Sequence, residues 1–347
     1  MRIVPPQSQT KMVLSESFKF KPPVIFTSTS IHRAGALEDD ENDFIRGRMG
    51  AIVGSMKKYL VQPEPSNPAL TESVDGVDHT NTAINTLVPV ERPLTLFLNN
   101  QEIVTVMTIG DFPEDLALGF LLNQNMLTHE DLVTEIEYEP DIDVVVVRTE
   151  RETDYEEKLS KKTRTSGCAQ GTAFGDVMEK FESVALPDTT LKTSWLYALS
   201  KNINTTPSLY LEAGAIHGCV LCERDKPLVY MEDVGRHNAV DKIAGYMYRK
   251  GLSADGKILY TTGRLTSEMV IKAVQMEIPI LISRSGFTAW GVELARQANL
   301  TLIGRMKGKR FIALSGTHRI EYDADPDTIP AELSHLQRKA STKRNAD

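Results

Sequence analysis

The chain is poor in residues that staple or anchor a protein. It has three cysteines in 347 residues, a small and odd number that argues against a disulfide scaffold and for a reducing compartment. No stretch approaches the ~20 apolar residues of a membrane span, so no membrane insertion is expected. The opening MRIVPPQSQTKMVL lacks the apolar core of a secretory signal. Cations do not dominate either. With 39 Lys and Arg against 47 Asp and Glu the net charge is −8, which argues against nucleic acid or anionic membrane as a partner of the whole surface. A local basic pocket stays open. These absences together lead us to expect a cytoplasmic protein. What is present, 41% hydrophobic and 25% charged residues, is ordinary for a globular chain long enough for two or three domains.

Residues 1–80 read as a poorly ordered extension. Pro5-Pro6, Pro22-Pro23 and the Pro63 to Pro68 stretch punctuate it, Glu38 to Asp43 is an acidic run, and only Phe44 to Leu60 could carry a short basic helix. Structure is expected to begin near Leu87. Leu94 to Leu98 alternates as a strand does, Asn99-Asn100 signals a turn, and Glu102 to Met107 returns as the second arm of a hairpin. Asp111-Phe112-Pro113 then opens a helix with Leu116, Leu118, Phe120, Leu121 and Leu122, and two strands follow at Ile136 to Tyr138 and Val144 to Val147. Residues 81–160 therefore form a small α+β unit, with a polar linker at 151–163. Residues 161–325 differ. A helix with Val177, Met178, Phe181 and Val184 precedes a strand at Leu209 to Cys222, which pairs with Leu228 to Met231. Helices and strands then alternate from Val240 to Leu314. That alternation predicts an α/β domain with helices on both faces of a mostly parallel sheet, antiparallel at the edge of a basic hairpin. Residues 326–347 are a polar tail.

Several segments carry chemistry. Cys168 lies in Arg164-Thr-Ser-Gly-Cys-Ala-Gln-Gly171, with Lys161 and Lys162 upstream and a helix downstream. Positive charge and a helix N-terminus favour the thiolate, which suits a nucleophile that accepts and passes on a group. The alternative is a small residue in a tight turn. Cys219 and Cys222, two residues after His217, could complete a zinc or iron–sulfur set with Cys168, but residues three apart on a strand point to opposite faces, which favours buried cysteines and no structural metal.

Glu232-Asp-Val-Gly-Arg-His-Asn-Ala-Val-Asp-Lys242 crowds ionisable groups around a strand-to-helix turn, where Arg236 and His237 can hold an anion. A solvated turn with a salt bridge is the plainer reading. Thr261 to Ser267, with Gly263 and Arg264, and Ser283 to Thr288, with Ser283, Arg284 and Ser285, repeat the geometry. Turns that leave parallel strands at their carboxyl ends are where ligands dock, and these suit phosphate or pyrophosphate. Arg305-Met306-Lys307-Gly308-Lys309-Arg310 concentrates four cations at one hairpin tip.

At these residues the sequence resembles the FdhD family of formate dehydrogenase accessory sulfurtransferases. EDVGRHNAVDK at 232–242 is the most specific match, followed by GRLTSEM at 263–269. LALGF at 116–120, Ser283 to Ser285 and Leu302 to Gly304 also agree, and the likeness spans about 88–322. The resemblance implies a cytidine deaminase-like three-layer αβα domain beside the smaller α+β unit. It implies a cysteine that takes persulfide sulfur from a cysteine desulfurase and delivers it to molybdenum or tungsten bis(molybdopterin guanine dinucleotide), held by the 305–310 stretch, for the catalytic subunit of formate dehydrogenase. A homodimer is expected. The family's C-x-x-C keeps its first cysteine here as Cys168, but Gly171 replaces the second, and the basic stretch carries lysines and no leading aromatic. A cofactor-binding chaperone without persulfide chemistry is the alternative function.

Overall fold

The computed structural model describes residues 60–128, 131–150, 178 and 181–329. Cys168, the 151–163 linker and the 326–347 tail beyond 329 lie outside the described residues. Structure starts earlier than expected: Leu70 is buried against Ile109, Leu209 and Ile216, and a hairpin of β1 (Thr71–Val77) and β2 (Ala83–Pro89) precedes Leu87. Even Val61 takes part, accepting from Tyr230 N at 2.7 Å and donating to Leu228 O at 3.2 Å.

The small α+β unit follows the alternation. Strands β3 (Arg92–Leu98), β4 (Gln101–Thr108), β5 (Val133–Glu139) and β6 (Val144–Thr149) form a sheet in the order β4-β3-β6-β5. Leu94, Leu96, Leu98, Val106, Val145 and Val147 present its inner face to helix α1 (Pro113–Asn123). Pro113 with Glu114 and Asp115 in the first turn suits a helix start. From Asp115 to Asn123 every residue of α1 is buried, because the helix is covered on two sides.

In the larger unit, β7 (Leu191–Lys192) leads into α2 (Thr193–Thr205), α3 (Leu209–Ala213), β8 (His217–Glu223), β9 (Lys226–Asp233) and α4 (Arg236–Lys250). Then come β10 (Lys257–Thr261), α5 (Ser267–Gln275), β11 (Ile280–Ser283), α6 (Ala289–Gln297), β12 (Thr301–Lys307) and β13 (Arg310–Ser315). The sheet order is β13-β12-β11-β10-β8-β9. One face buries Cys219, Leu221, Leu259, Leu281 and Leu302 under α4, α5 and α6. The other buries Val220, Cys222, Ile258, Tyr260, Ile282 and Ile303 under α2. Among the described residues no helix is long and apolar enough to cross a membrane.

Two expectations need correction. The sheet is mixed rather than mostly parallel. Only β10, β11 and β12 run parallel to their neighbours, while the β8–β9 hairpin inserts β8 antiparallel against β10 and β13 folds back on β12. Leu209 to Cys222 is not one strand either. Leu209 to Ala213 is helical, capped by Ser208 and held by the Glu232 carboxylate, which accepts from Leu209 N at 2.8 Å and Tyr210 N at 3.1 Å. Gly214 (φ 68) and Ala215 (φ 48) then turn the chain into β8.

The two units meet through α1 and α4. A Cβ on Gly119 would lie 1.7 Å from Asp241 O, and one on Gly245 would lie 1.9 Å from Asp115 O, so the backbones touch. Asn123 Nδ2 donates to Asp241 Oδ1 at 2.7 Å, and Lys272 Nζ lies 2.5 Å from the same oxygen.

Candidate functional site

Because β9 to β12 share one direction, their carboxyl ends lie along one edge of the sheet. His217 at the start of β8 sits opposite Asp233 at the end of β9, Cys219 opposite Thr261, and Thr261 beside Ser283. The fold thus brings the turns singled out by sequence to a single edge. Hydrogen bonds tie them in series. Gly218 N donates to Thr262 Oγ1 at 3.0 Å, Ser283 Oγ to Gly263 O at 2.6 Å, and Arg305 N to Ser285 O at 2.7 Å.

Arg236 begins α4 and is 9% exposed. Its stem lies over Gly263, where a Cβ would come within 2.8 Å of Arg236 Cδ, so glycine makes the room. Its buried Nε finds no acceptor among the described residues. A buried cation without its hydrogen-bond partner is costly unless a ligand supplies one. His237 beside it pairs through Nε2 with Glu268 Oε2 at 3.0 Å. Burial lowers the His237 pKa, which that carboxylate partly opposes, and the same bond holds Glu268 below its usual value. Arg264 is exposed on the next turn. His217, which the sequence singled out only as a metal candidate, is half-buried, with Nδ1 3.5 Å from Thr262 Oγ1. Its pKa is lowered by burial and then by the charges of Arg236, His237 and Arg264.

Behind this edge lies a network the sequence did not reveal. Lys242 is fully buried, ion-paired with Asp111 and lying 2.7 Å from Asp233 Oδ2, and it donates to Glu232 O at 3.0 Å. Burial opposes its charge, but the two carboxylates outweigh it and raise its pKa. Asp233 also accepts from Thr108 Oγ1 at 2.5 Å, Gly235 N at 3.1 Å and Asn238 Nδ2 at 3.0 Å. The turn that carries Arg236 is therefore braced from both units. Thr108 and Asp111 lie more than a hundred residues from Asp233 and Lys242 in the chain, which hid the cluster.

Not every predicted residue faces outward. Ser283 is fully buried and spends its hydroxyl on Gly263 O and Ser285 N. Arg284 turns to Asn204 Oδ1 on α2 at 3.1 Å. Met306 is 1% exposed, in the core under α2, so its side chain is not part of the loop surface. Arg305, Lys307, Lys309 and Arg310 are exposed around Gly308 (φ 55), with Lys309 paired to Asp327 at 2.7 Å. Cys219 and Cys222 point into opposite face cores and do not converge. Burial pushes the Cys219 thiol up to about 12 and the Cys222 thiol well up as well.

Residues 89–321 match the model of the FdhD/NarQ family. The sulfur carrier protein FdhD of Bacillus subtilis (strain 168) is 28% identical over 232 residues, 66% of this chain and 88% of that protein. That of Wolinella succinogenes is 28% identical over 239 residues, 67% of this chain and 82% of that protein. The crystal structure of a protein assigned as a formate dehydrogenase accessory protein from Desulfotalea psychrophila superimposes with a TM-score of 0.59 at 26% identity, covering 72% of this chain and 98% of that one. By a match over most of its length, the chain belongs to the FdhD/NarQ family.

Proposed function

We propose that this chain is a sulfur carrier that accepts persulfide sulfur from a cysteine desulfurase on Cys168 and delivers it to molybdenum or tungsten bis(molybdopterin guanine dinucleotide), as formate dehydrogenase requires. It acts in the cytoplasm, as a homodimer, and meets the catalytic subunit of formate dehydrogenase with its cofactor as bound substrate. We read its larger unit as cytidine deaminase-like. The observation that supports the binding half is Arg236, buried at the strand-end edge with a guanidinium nitrogen that lacks an acceptor among the described residues. Pyrophosphate oxygens would supply that acceptor, and the exposed cations Arg264, Arg305, Lys307 and Arg310 would hold the rest of a dianionic dinucleotide. The sulfur half rests on the relatives that are sulfur carriers and on the charge and glycines around Cys168.

A second reading, a chaperone that inserts the cofactor without persulfide chemistry, gains from one observation. Cys219 and Cys222 are both buried thiols, so neither can replace the second cysteine that Gly171 removes. One set of experiments separates the two. Limiting iodoacetamide at neutral pH should label Cys168 first, and desulfurase with cysteine should add one sulfur mass there. Cys168→Ala should fold yet leave the client formate dehydrogenase inactive. Full client activity in that variant would reject the relay and leave the chaperone reading.

A further inference from the structure

His217 has no task if arginines alone bind the anion, yet it stands among them. It opens β8 opposite Asp233, beside the Thr262 hydroxyl. Arg236 and His237 at the start of α4, and Arg264 on the turn after β10, stand at the same strand-end edge and act on its charge. We propose that His217 is a phosphate-binding residue that takes up a proton as the anion enters, so that dinucleotide binding at this edge is proton-linked. This rests on the reading that the edge binds a dinucleotide.

The charges around the ring give the direction. Arg236, His237 and Arg264 oppose a further positive charge, and burial opposes it more. Among the strongest influences on His217 from the described residues, Asp233 alone favours the imidazolium, and its Oδ2 already faces Lys242 Nζ at 2.7 Å. Without a ligand these surroundings disfavour the charged ring. A phosphate seated against Arg236 reverses the sign of the local field. The ring then gains a proton and donates a hydrogen bond to a phosphate oxygen, the stronger kind of bond because both partners are charged. His237 is a poor candidate for the same role. Its Nε2 lies 3.0 Å from the Glu268 carboxylate on α5, and Lys272 adds a further positive charge nearby.

Calorimetric titration of GDP into the full chain, in buffers of different ionisation heat, measures the protons taken up. Wild type should take up more protons at pH 7 than His217→Gln, and its affinity should weaken about three- to tenfold more between pH 6.5 and 8. The phosphate's own titration is common to both proteins and cancels in the difference. Equal proton uptake in the two proteins overturns the proposal, and so does a loss of linkage in His237→Gln instead. NMR titration of the wild-type His217 ring guards against a misfolded variant: its midpoint should rise on GDP binding, and an unchanged midpoint overturns the proposal. Absence of GDP binding by wild type at every pH removes the dinucleotide reading itself, a result distinct from binding without proton linkage.

Discussion

Two cations six residues apart in the same motif live in opposite circumstances. Lys242 faces inward, fully buried, with carboxylates from two different segments and a backbone carbonyl around its ammonium. Arg236 faces the strand-end edge, nearly as buried, with an Nε that the described residues leave unpaired. The cost of burying the first charge is met within the protein, whereas the second keeps a buried donor unpaired among the described residues. Motif membership alone would have treated them alike. The difference separates a residue that braces the turn from one whose donor stays open, as the proposed binding role requires.

The comparison breaks most visibly at Lys242. Lys242→Met strands Asp111 and Asp233 without a cation and should cost about 3–5 kcal/mol in urea unfolding. Adding Asp111→Asn and Asp233→Asn should recover much of the loss, and a triple variant no more stable than the single one would contradict the ion-cluster account. The next effect is Glu232. Burial pushes its carboxyl up to about 7 from an unfolded value of 4.5, so between those values the folded chain holds a proton that the unfolded chain has released. Its contribution to stability is therefore full below the unfolded value and lost as pH rises toward 7, by about 3 kcal/mol. Denaturation from pH 4.5 to 7.5 should show this fall, and Glu232→Gln should flatten it. A parallel slope in the variant would assign it elsewhere.

Arg236→Met sharpens the contrast. It keeps the apolar stem over Gly263 and should change stability by less than about 1 kcal/mol while weakening GDP at least tenfold, about 1.4 kcal/mol. Stability loss matching that of Lys242→Met would make the two cations equivalent after all. The smallest effect is at the rim. Lys307→Glu should weaken GDP a few-fold, less so at high salt, because an exposed charge is screened. Unchanged affinity in that variant would remove the 305–310 loop from the site.

Where periodicity and turn chemistry act together, the fold was legible. The β3–β4 hairpin, α1, β5 and β6, and the alternation from α4 to β13 all follow from apolar spacing and Gly, Asn or Pro at the turns. Three features were hidden for distinct physical reasons. The β1–β2 hairpin exposes Val74, Val77, Ile84 and Leu87, so it buries no face that alternation could betray. Leu209-Tyr-Leu alternates like a strand, and a carboxylate more than twenty residues away decides that it is a helix. Helix α2 begins at Lys192-Thr193 with no side-chain cap and no acid in its first turn. Sheet direction was misjudged because periodicity records burial, not which neighbour a strand takes. At the site, the glycine- and arginine-bearing turns were readable, since each follows a strand. His217 was not, because only the β8–β9 pairing brings it to Asp233 and Arg236.

The glycine contact between α1 and α4 also bears on how the chain folds. Residues 115–123 and 241–249 come together across more than a hundred positions of sequence, with carbonyl oxygens where side chains would otherwise stand. Each helix must be wound before its glycine lines up with the opposing carbonyl, and a partly formed crossing gains little. Docking of the two units is thus expected to come late in folding and to set the refolding rate. A methyl group at Gly119 or Gly245 would speed unfolding more than it slows the formation of either unit alone.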